Sequence, residues 1–215
     1  MGAMDDEIRV RRGHANASYD PEAIRRIIDA GYFAHIAFLH DNQPVCVPML
    51  YWREGDYLVW HGSTKSRAML ASAGQSVCIT ITHWDGLVFA RSAFRHSAHY
   101  RCVMLFGEAQ EVPEDEKTAS LHTLMERVAP GRDAELRPMT EQELKATALL
   151  RVPINRVSAK IKQGPPTADP LDTDWPVWEG ILPVAQIFQP AKSTGASSES
   201  YETPDNVERL VGTSI

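Results

Sequence analysis

The sequence predicts a mainly β fold with inserted helices, a small closed or split antiparallel barrel. Three observations predict it. Apolar runs rich in β-branched and aromatic residues are joined by short polar loops, His40-Asp41-Asn42-Gln43 and Arg53-Glu54-Gly55-Asp56, as in antiparallel meanders. Helical spacing of apolar residues is confined to a few stretches between those runs. Strands and helices do not alternate throughout, and no GxGxxG follows the first strand, which argues against a parallel doubly wound sheet.

Taken in order, residues 1–18 are polar and read as an N-terminal arm. A helix follows: Asp20 at the cap, Pro21 at the first helical position, Glu22 in the first turn, Ile24, Ile27 and Ile28 on one face, and Gly31 at the end. Tyr32 to Leu39 is a strand. Pro44 to Trp52 is a second, and its internal Pro48 implies an edge, a bulge or an irregular segment beside a site. Tyr57 to Trp60 is a third. After a helix from Ser66 to about Ala73 comes the run Gln75 to His83. Asp85-Gly86 reads as a hairpin turn, and Leu87 to Phe94 as the return strand. Tyr100 to Val112 is a long strand in which Gly107 marks a bulge or a close approach. Pro113 opens an acid-rich helix to about Val128, and Thr140-Glu141-Gln142-Glu143 is a capping box for a short one. Leu149 to Ile161 closes the β pattern. Residues 164–176 are Pro/Asp-rich, residues 175–183 form an apolar knot with two tryptophans, and residues 191–215 read as a polar, mobile tail. The barrel domain thus spans 19–190.

Composition narrows the function classes. The chain has 215 residues, 43% hydrophobic and 23% charged, with a net charge of −6, so it can bury a core and has no basic stripe for nucleic acid. No apolar segment is long enough to cross a bilayer. The acidic start lacks the pattern of a secretory signal, and Cys46, Cys78 and Cys102 form no close pair. A reducing cytoplasm with three buried thiols is the expectation. No nucleophile motif of a hydrolase appears. His96 and His99 have a spacing that can seat a metal, but no further ligand completes a set, so no metal site is assigned.

The stretch from Leu58 to Met69 stands apart. A strand ends, breaks at Gly62, and reopens as a helix across Ser63-Thr64-Lys65-Ser66-Arg67. Ser63 or Thr64 is expected to cap that helix, with Ser66 in its first turn. Hydroxyls, an amine and a guanidinium crowded at a helix start suit a phosphate, for which Arg offers planar, bidentate donors. The same pattern serves an ordinary capped helix with solvated basic residues, and spacing alone leaves both readings open.

Four stretches in order carry a resemblance: Val47-Pro48-Met49-Leu50-Tyr51; His61-Gly62-Ser63 with Lys65-Ser66-Arg67; Tyr100 to Ala109; and Trp178-Glu179-Gly180-Ile181-Leu182-Pro183. Together they resemble the FMN-binding split-barrel family related to pyridoxamine 5′-phosphate oxidase, in the branch of nitroimidazole-reductase-like flavoproteins. The resemblance implies a homodimeric, six-stranded antiparallel split barrel that binds FMN at the subunit interface and acts as an oxidoreductase. It implies Ser66 and Arg67 as the phosphate grip, with Lys65 and Ser63 beside them. It implies the backbone of Val47, Pro48, Met49 and Leu50 along the isoalloxazine edge, and Trp60 and His61 near the ribityl chain or phosphate. Cys102 falls where relatives place Ser or Gln against the cofactor, and Trp178 where a late aromatic closes the site. The true oxidases carry a C-terminal Arg/His substrate set; here Arg209 is isolated and no histidine lies beyond His122, so the substrate is left open. The alternative is a non-catalytic store or sensor for flavin, haem or deazaflavin.

Overall fold

The computed structural model describes residues 8–167, 169–194 and 201–214. Its scaffold is one antiparallel sheet. In chain order the strands are β1 (Ala17–Ser18), β2 (Phe33–His40), β3 (Gln43–Glu54), β4 (Tyr57–Ser63), β5 (Ser76–Phe89), β6 (Ser97–Glu108), β7 (Gln110–Glu111), β8 (Thr147–Pro153), β9 (Val157–Lys162) and β10 (Gly180–Pro183). The path runs β1-β9-β6-β5-β2-β3-β4-β8-β7, with β10 added to β5. Seven of these strands have six or more residues, one more than the expected six, and the two- and four-residue β1, β7 and β10 extend the pairing.

The 12-residue β3 divides the sheet. Its first part pairs with β2, from His40↔Gln43 to Phe33↔Leu50, and its last part with β4, from Tyr51↔Trp60 to Glu54↔Tyr57. Residues 43–50 are therefore paired on one side only. Pro44 and Pro48 sit on this open edge, where a missing N–H removes no ladder bond. The edge expected from Pro48 is the one found.

The main core lies inside the curl of the sheet and contains Ile36, Leu58, Trp60, Ile79, Leu105 and Leu150. Helix α1 (Pro21–Ala30) closes one end of it with Ile24, Ile27 and Ile28. Burying side chains of that size contributes about 1.5–3 kcal/mol each. Asp20 caps α1 by accepting from Ala23 N at 2.9 Å. The last carbonyls of a helix lack internal partners, and three side chains serve them here. His83 bonds Ile27 O at 2.9 Å, the Tyr51 hydroxyl donates to Ile28 O at 2.5 Å, and Arg127 donates to Asp29 O at 2.7 Å. A second cluster, with Trp52, Val59, Leu121, Leu124 and Leu149, packs the opposite face of β4 against α3 (Glu114–Val128). Gly107 is the close approach anticipated: a Cβ there would meet Val152 Cγ1 at 2.5 Å.

Two expectations are corrected, and both chain ends make contacts within their described parts. Asp85-Gly86 is no hairpin turn; β5 runs straight through it, with a register shift between Trp84 and Gly86. Asp85 is held by Arg101 at 2.8 Å, and β10 lies so close that a Cβ on Gly86 would meet Leu182 O at 2.6 Å. Residues 147–162 form two strands rather than one, because Pro153 ends β8 and β9 turns back to pair with β6. The arm is docked within its described part: Ala17↔Lys160 and Ser18↔Ala159 pair. The far end is docked as well. Residues 195–200 and 215 lie outside the described residues, but α5 (Asp205–Glu208) buries Asn206, which donates to Glu135 at 2.7 Å, and Ile187 bridges to Ser214.

Candidate functional site

β4 delivers its C-terminal end to a tight turn. Ser63 pairs with Thr147 of β8, and Thr64 N donates to Ala146 O at 2.9 Å. Ser63 Oγ accepts from Lys65 N at 3.2 Å, and Ser66 N donates to Ser63 O at 2.8 Å. The helix that follows, α2 (Arg67–Ser72), is anchored by Met69, which is 2% exposed. Gly62 makes this possible, since a Cβ there would meet Met69 Cγ at 2.7 Å. The N-cap is Ser66, not Ser63 or Thr64, and its hydroxyl makes no capping bond. Ser63 and Thr64 are drawn away from the cap by the turn itself and by β8.

The backbone of this turn is fixed, whereas its charged ends are free. Lys65 and Arg67 are exposed, and the side chains of Lys65, Ser66 and Arg67 make no hydrogen bond or ion pair among the described residues. Helix α2 has six residues, so the positive field here comes from side chains rather than from a long helix dipole. Two uncompensated cations and a spare hydroxyl on a rigid turn suit a multiply charged oxyanion.

β3 runs beside the turn. Val47 and Met49 pack inward against the main core, while Pro48 is exposed and Leu50 leans on the second cluster. His61 is half-buried, its ring 6.0 Å from Trp52. Its Nδ1 is buried without a partner, and burial pushes its pKa down, so the ring is neutral at pH 7. Trp60, by contrast, is 1% exposed and belongs to the core, which leaves only its backbone available to a ligand.

Cys102 and Trp178 do not join this group within one chain. Cys102 lies on β6, three strands from β3, or about 14 Å across the sheet. Its thiol is half-buried, and burial pushes its pKa up. Trp178 is exposed, folds over Gly180 and lies 5.9 Å from Phe89. Cys46 is exposed, contrary to the expectation of three buried thiols, because it faces outward on the open-edged part of β3. His96 and His99 diverge: one bonds Ser92 O at 3.0 Å, the other Gly164 O at 2.8 Å.

Sequence reasoning passed over His35. It is exposed on β2 and makes no hydrogen bond or ion pair among the described residues. The period-two pattern Phe33-His35-Ala37-Leu39 was the available signal, since it puts a histidine on the same face as two large apolar residues.

The profile of the family described as pyridoxamine 5′-phosphate oxidase matches residues 20–161. The flavocytochrome Anf3 of Azotobacter vinelandii is similar over 98% of this chain and 99% of its own, at 33% identity and a TM-score of 0.92. An FAD- and haem-binding protein of Mycobacterium smegmatis is similar over 92% of this chain and 98% of its own, at 33% identity and a TM-score of 0.88. A candidate 5-nitroimidazole antibiotic resistance protein of Bacteroides thetaiotaomicron shares the fold alone, at 18% identity and a TM-score of 0.56 over 67% of this chain and 86% of its own. No curated protein matches.

Proposed function

Since the chain belongs to the pyridoxamine 5′-phosphate oxidase family, we propose that it is a flavin-dependent oxidoreductase whose flavin phosphate sits in the turn from Ser63 to Arg67. The observation that carries this reading is the rigid turn whose side chains Lys65, Ser66 and Arg67 have no partner among the described residues. When bound, the flavin supplies the electron chemistry, and the chain binds and orients it. Arg67 and Lys65 neutralise the phosphate, and Ser66 donates its hydroxyl to it. His61, neutral through burial, offers a ring nitrogen to the ribityl chain. The open edge of β3 at Val47, Pro48, Met49 and Leu50 flanks the ring system with backbone groups.

FMN is the smallest flavin that fits this account, and FAD contains the same phosphate. The M. smegmatis neighbour, an FAD- and haem-binding protein, favours FAD, and both 33%-identical neighbours favour a haem in addition. The protein is then a flavocytochrome, and a homodimer. The exposed Trp175, Val177 and Trp178 give a second copy an apolar surface to cover. Among the described residues no helix is long and apolar enough to cross a membrane, in keeping with a cytoplasmic site of action.

Acid release and mass spectrometry of the cofactor test the reading. FMN or FAD in the extract, or stoichiometric uptake of either on titration, supports it; no flavin uptake overturns it. Turnover with a nicotinamide donor separates an oxidoreductase from a flavin store, and light scattering of the flavin-bound protein reads the dimer.

A further inference from the structure

We propose that His35 is the axial ligand of a haem lying flat on the outer face of β2, β3, β5 and β6. This rests on the flavocytochrome reading above and adds to it a site and a ligand. Haem iron takes a neutral imidazole with a free nitrogen and an apolar surface for the porphyrin. Most of the eight histidines are otherwise engaged. His83, His96, His99 and His122 each commit a ring nitrogen to an oxygen, and His40 faces Asp41 at 3.6 Å. His61 stands in the flavin cluster against Trp52. His14 lies in a 3-10 turn outside the sheet. His35 alone combines an unpartnered ring with the middle of a sheet face.

Among the described residues nothing covers that face, and exposed apolar side chains line it. Phe33 and Leu39, two residues before and four after His35 on β2, are 63% and 64% exposed. Pro48 is the cross-strand partner of His35 on β3, and Met104 on β6 is 43% exposed. From β3 to β6 the face is about 14 Å wide, broad enough for a porphyrin. Exposed apolar side chains grouped on one sheet face around an unpartnered imidazole mark a binding surface.

The geometry also selects the mode of ligation. His35 pairs with Thr80, and Thr80 with Met104, so the three form one row across the sheet. His35 and Met104 are thus about 10 Å apart at their Cα atoms. A haem clamped between them would stand on edge over Thr80, with its rim driven into the strands. A haem lying flat needs His35 alone and uses Met104, Phe33 and Pro48 as its floor. His35 would hold the iron through its ring nitrogen, and Met104 would serve as a floor contact rather than a ligand.

Titration of the purified, flavin-loaded protein with hemin tests this, read by Soret absorption and electron paramagnetic resonance. The wild type takes up hemin with an imidazole-ligated signature. His35→Ala lowers hemin affinity by about tenfold or more, and added imidazole restores the wild-type spectrum. His35→Tyr replaces the signature with that of a phenolate ligand, which decides the matter should the alanine variant not fold. Flavin content is unchanged in both variants, and His14→Ala keeps the wild-type spectrum. If the wild type takes up hemin and the His35 variants keep its spectrum and affinity, or His14→Ala loses them, His35 is not the ligand while the haem reading stands. If the wild type binds flavin but no hemin, the haem reading fails and this inference with it.

Discussion

Replacing Arg67 with alanine isolates the phosphate contact. The guanidinium is exposed and makes no hydrogen bond or ion pair among the described residues, so its loss costs the folded protein no internal interaction. Exposed substitutions of this kind change stability by within about 0.5 kcal/mol. Toward a bound phosphate, a charge-assisted hydrogen bond contributes about 1.5–3 kcal/mol, and each ~1.4 kcal/mol is a factor of ten in affinity. Arg67→Ala is therefore expected to weaken FMN binding by about ten- to a hundredfold. Lys65 remains in the same turn and keeps the loss nearer the lower figure. The site is open to solvent, so the difference between wild type and variant narrows as salt is added. The assay is quenching of flavin fluorescence on titration, run in parallel with FMN and with riboflavin, which lacks the phosphate. Riboflavin binds both proteins equally if the contact is to phosphate. Unchanged FMN affinity, or an equal loss for riboflavin, refutes the assignment of the turn.

Two further predictions concern the scaffold. Tyr51→Phe removes the donor to Ile28 O at the C-terminal end of α1, in a site where burial raises the phenol's pKa. Leaving that carbonyl buried and unpaired costs about 1–3 kcal/mol, a loss of several degrees in Tm for a chain of this size at about 2–4 °C per kcal/mol; calorimetry showing an unchanged Tm sinks the capping role. Glu143 completes the capping box of α4 (Glu141–Ala146) and is held by Arg137, which lowers its pKa from 4.5 to about 2. Because the folded value is the depressed one, its contribution is complete above about pH 4.5 and is lost as pH falls toward 2. A carboxyl chemical shift that titrates near 4.5 contradicts the bond to Arg137.

How much was legible depended on the range of the forces involved. α1 was readable from Asp20, Pro21 and three isoleucines, because a cap and one apolar face are local properties, and the structure gives Pro21–Ala30. The capping box at Thr140 and Glu143 was readable for the same reason. Asp85-Gly86 misled because a turn dipeptide was overruled by contacts from Arg101 and β10, both distant in sequence. The contact of Asn206 with Glu135 was not readable, because a polar composition does not reveal one buried asparagine or its partner. At the site, the run from Ser63 to Arg67 was legible as a cluster of phosphate-binding types. Its lack of internal partners was not, since that is a fact about everything else in the chain. Trp60 was named beside His61, yet strand alternation sends the two to opposite faces, one into the core.

The pairing of β4 with β8 has a consequence for how the chain is made. Tyr57 pairs with Pro153, roughly a hundred residues later. A ribosome adding about 5–20 residues per second leaves one side of β4 unpaired for roughly 5–20 s after it is synthesised. During that interval Leu58 and Trp60, which end up in the main core, belong to an incomplete hairpin with β3 and cannot be covered by Leu150 or Val152. The β4–β8 ladder forms late, on sequence-distant contacts that fold slowly, and the nascent chain carries an apolar, edge-exposed strand through nearly half of its own synthesis.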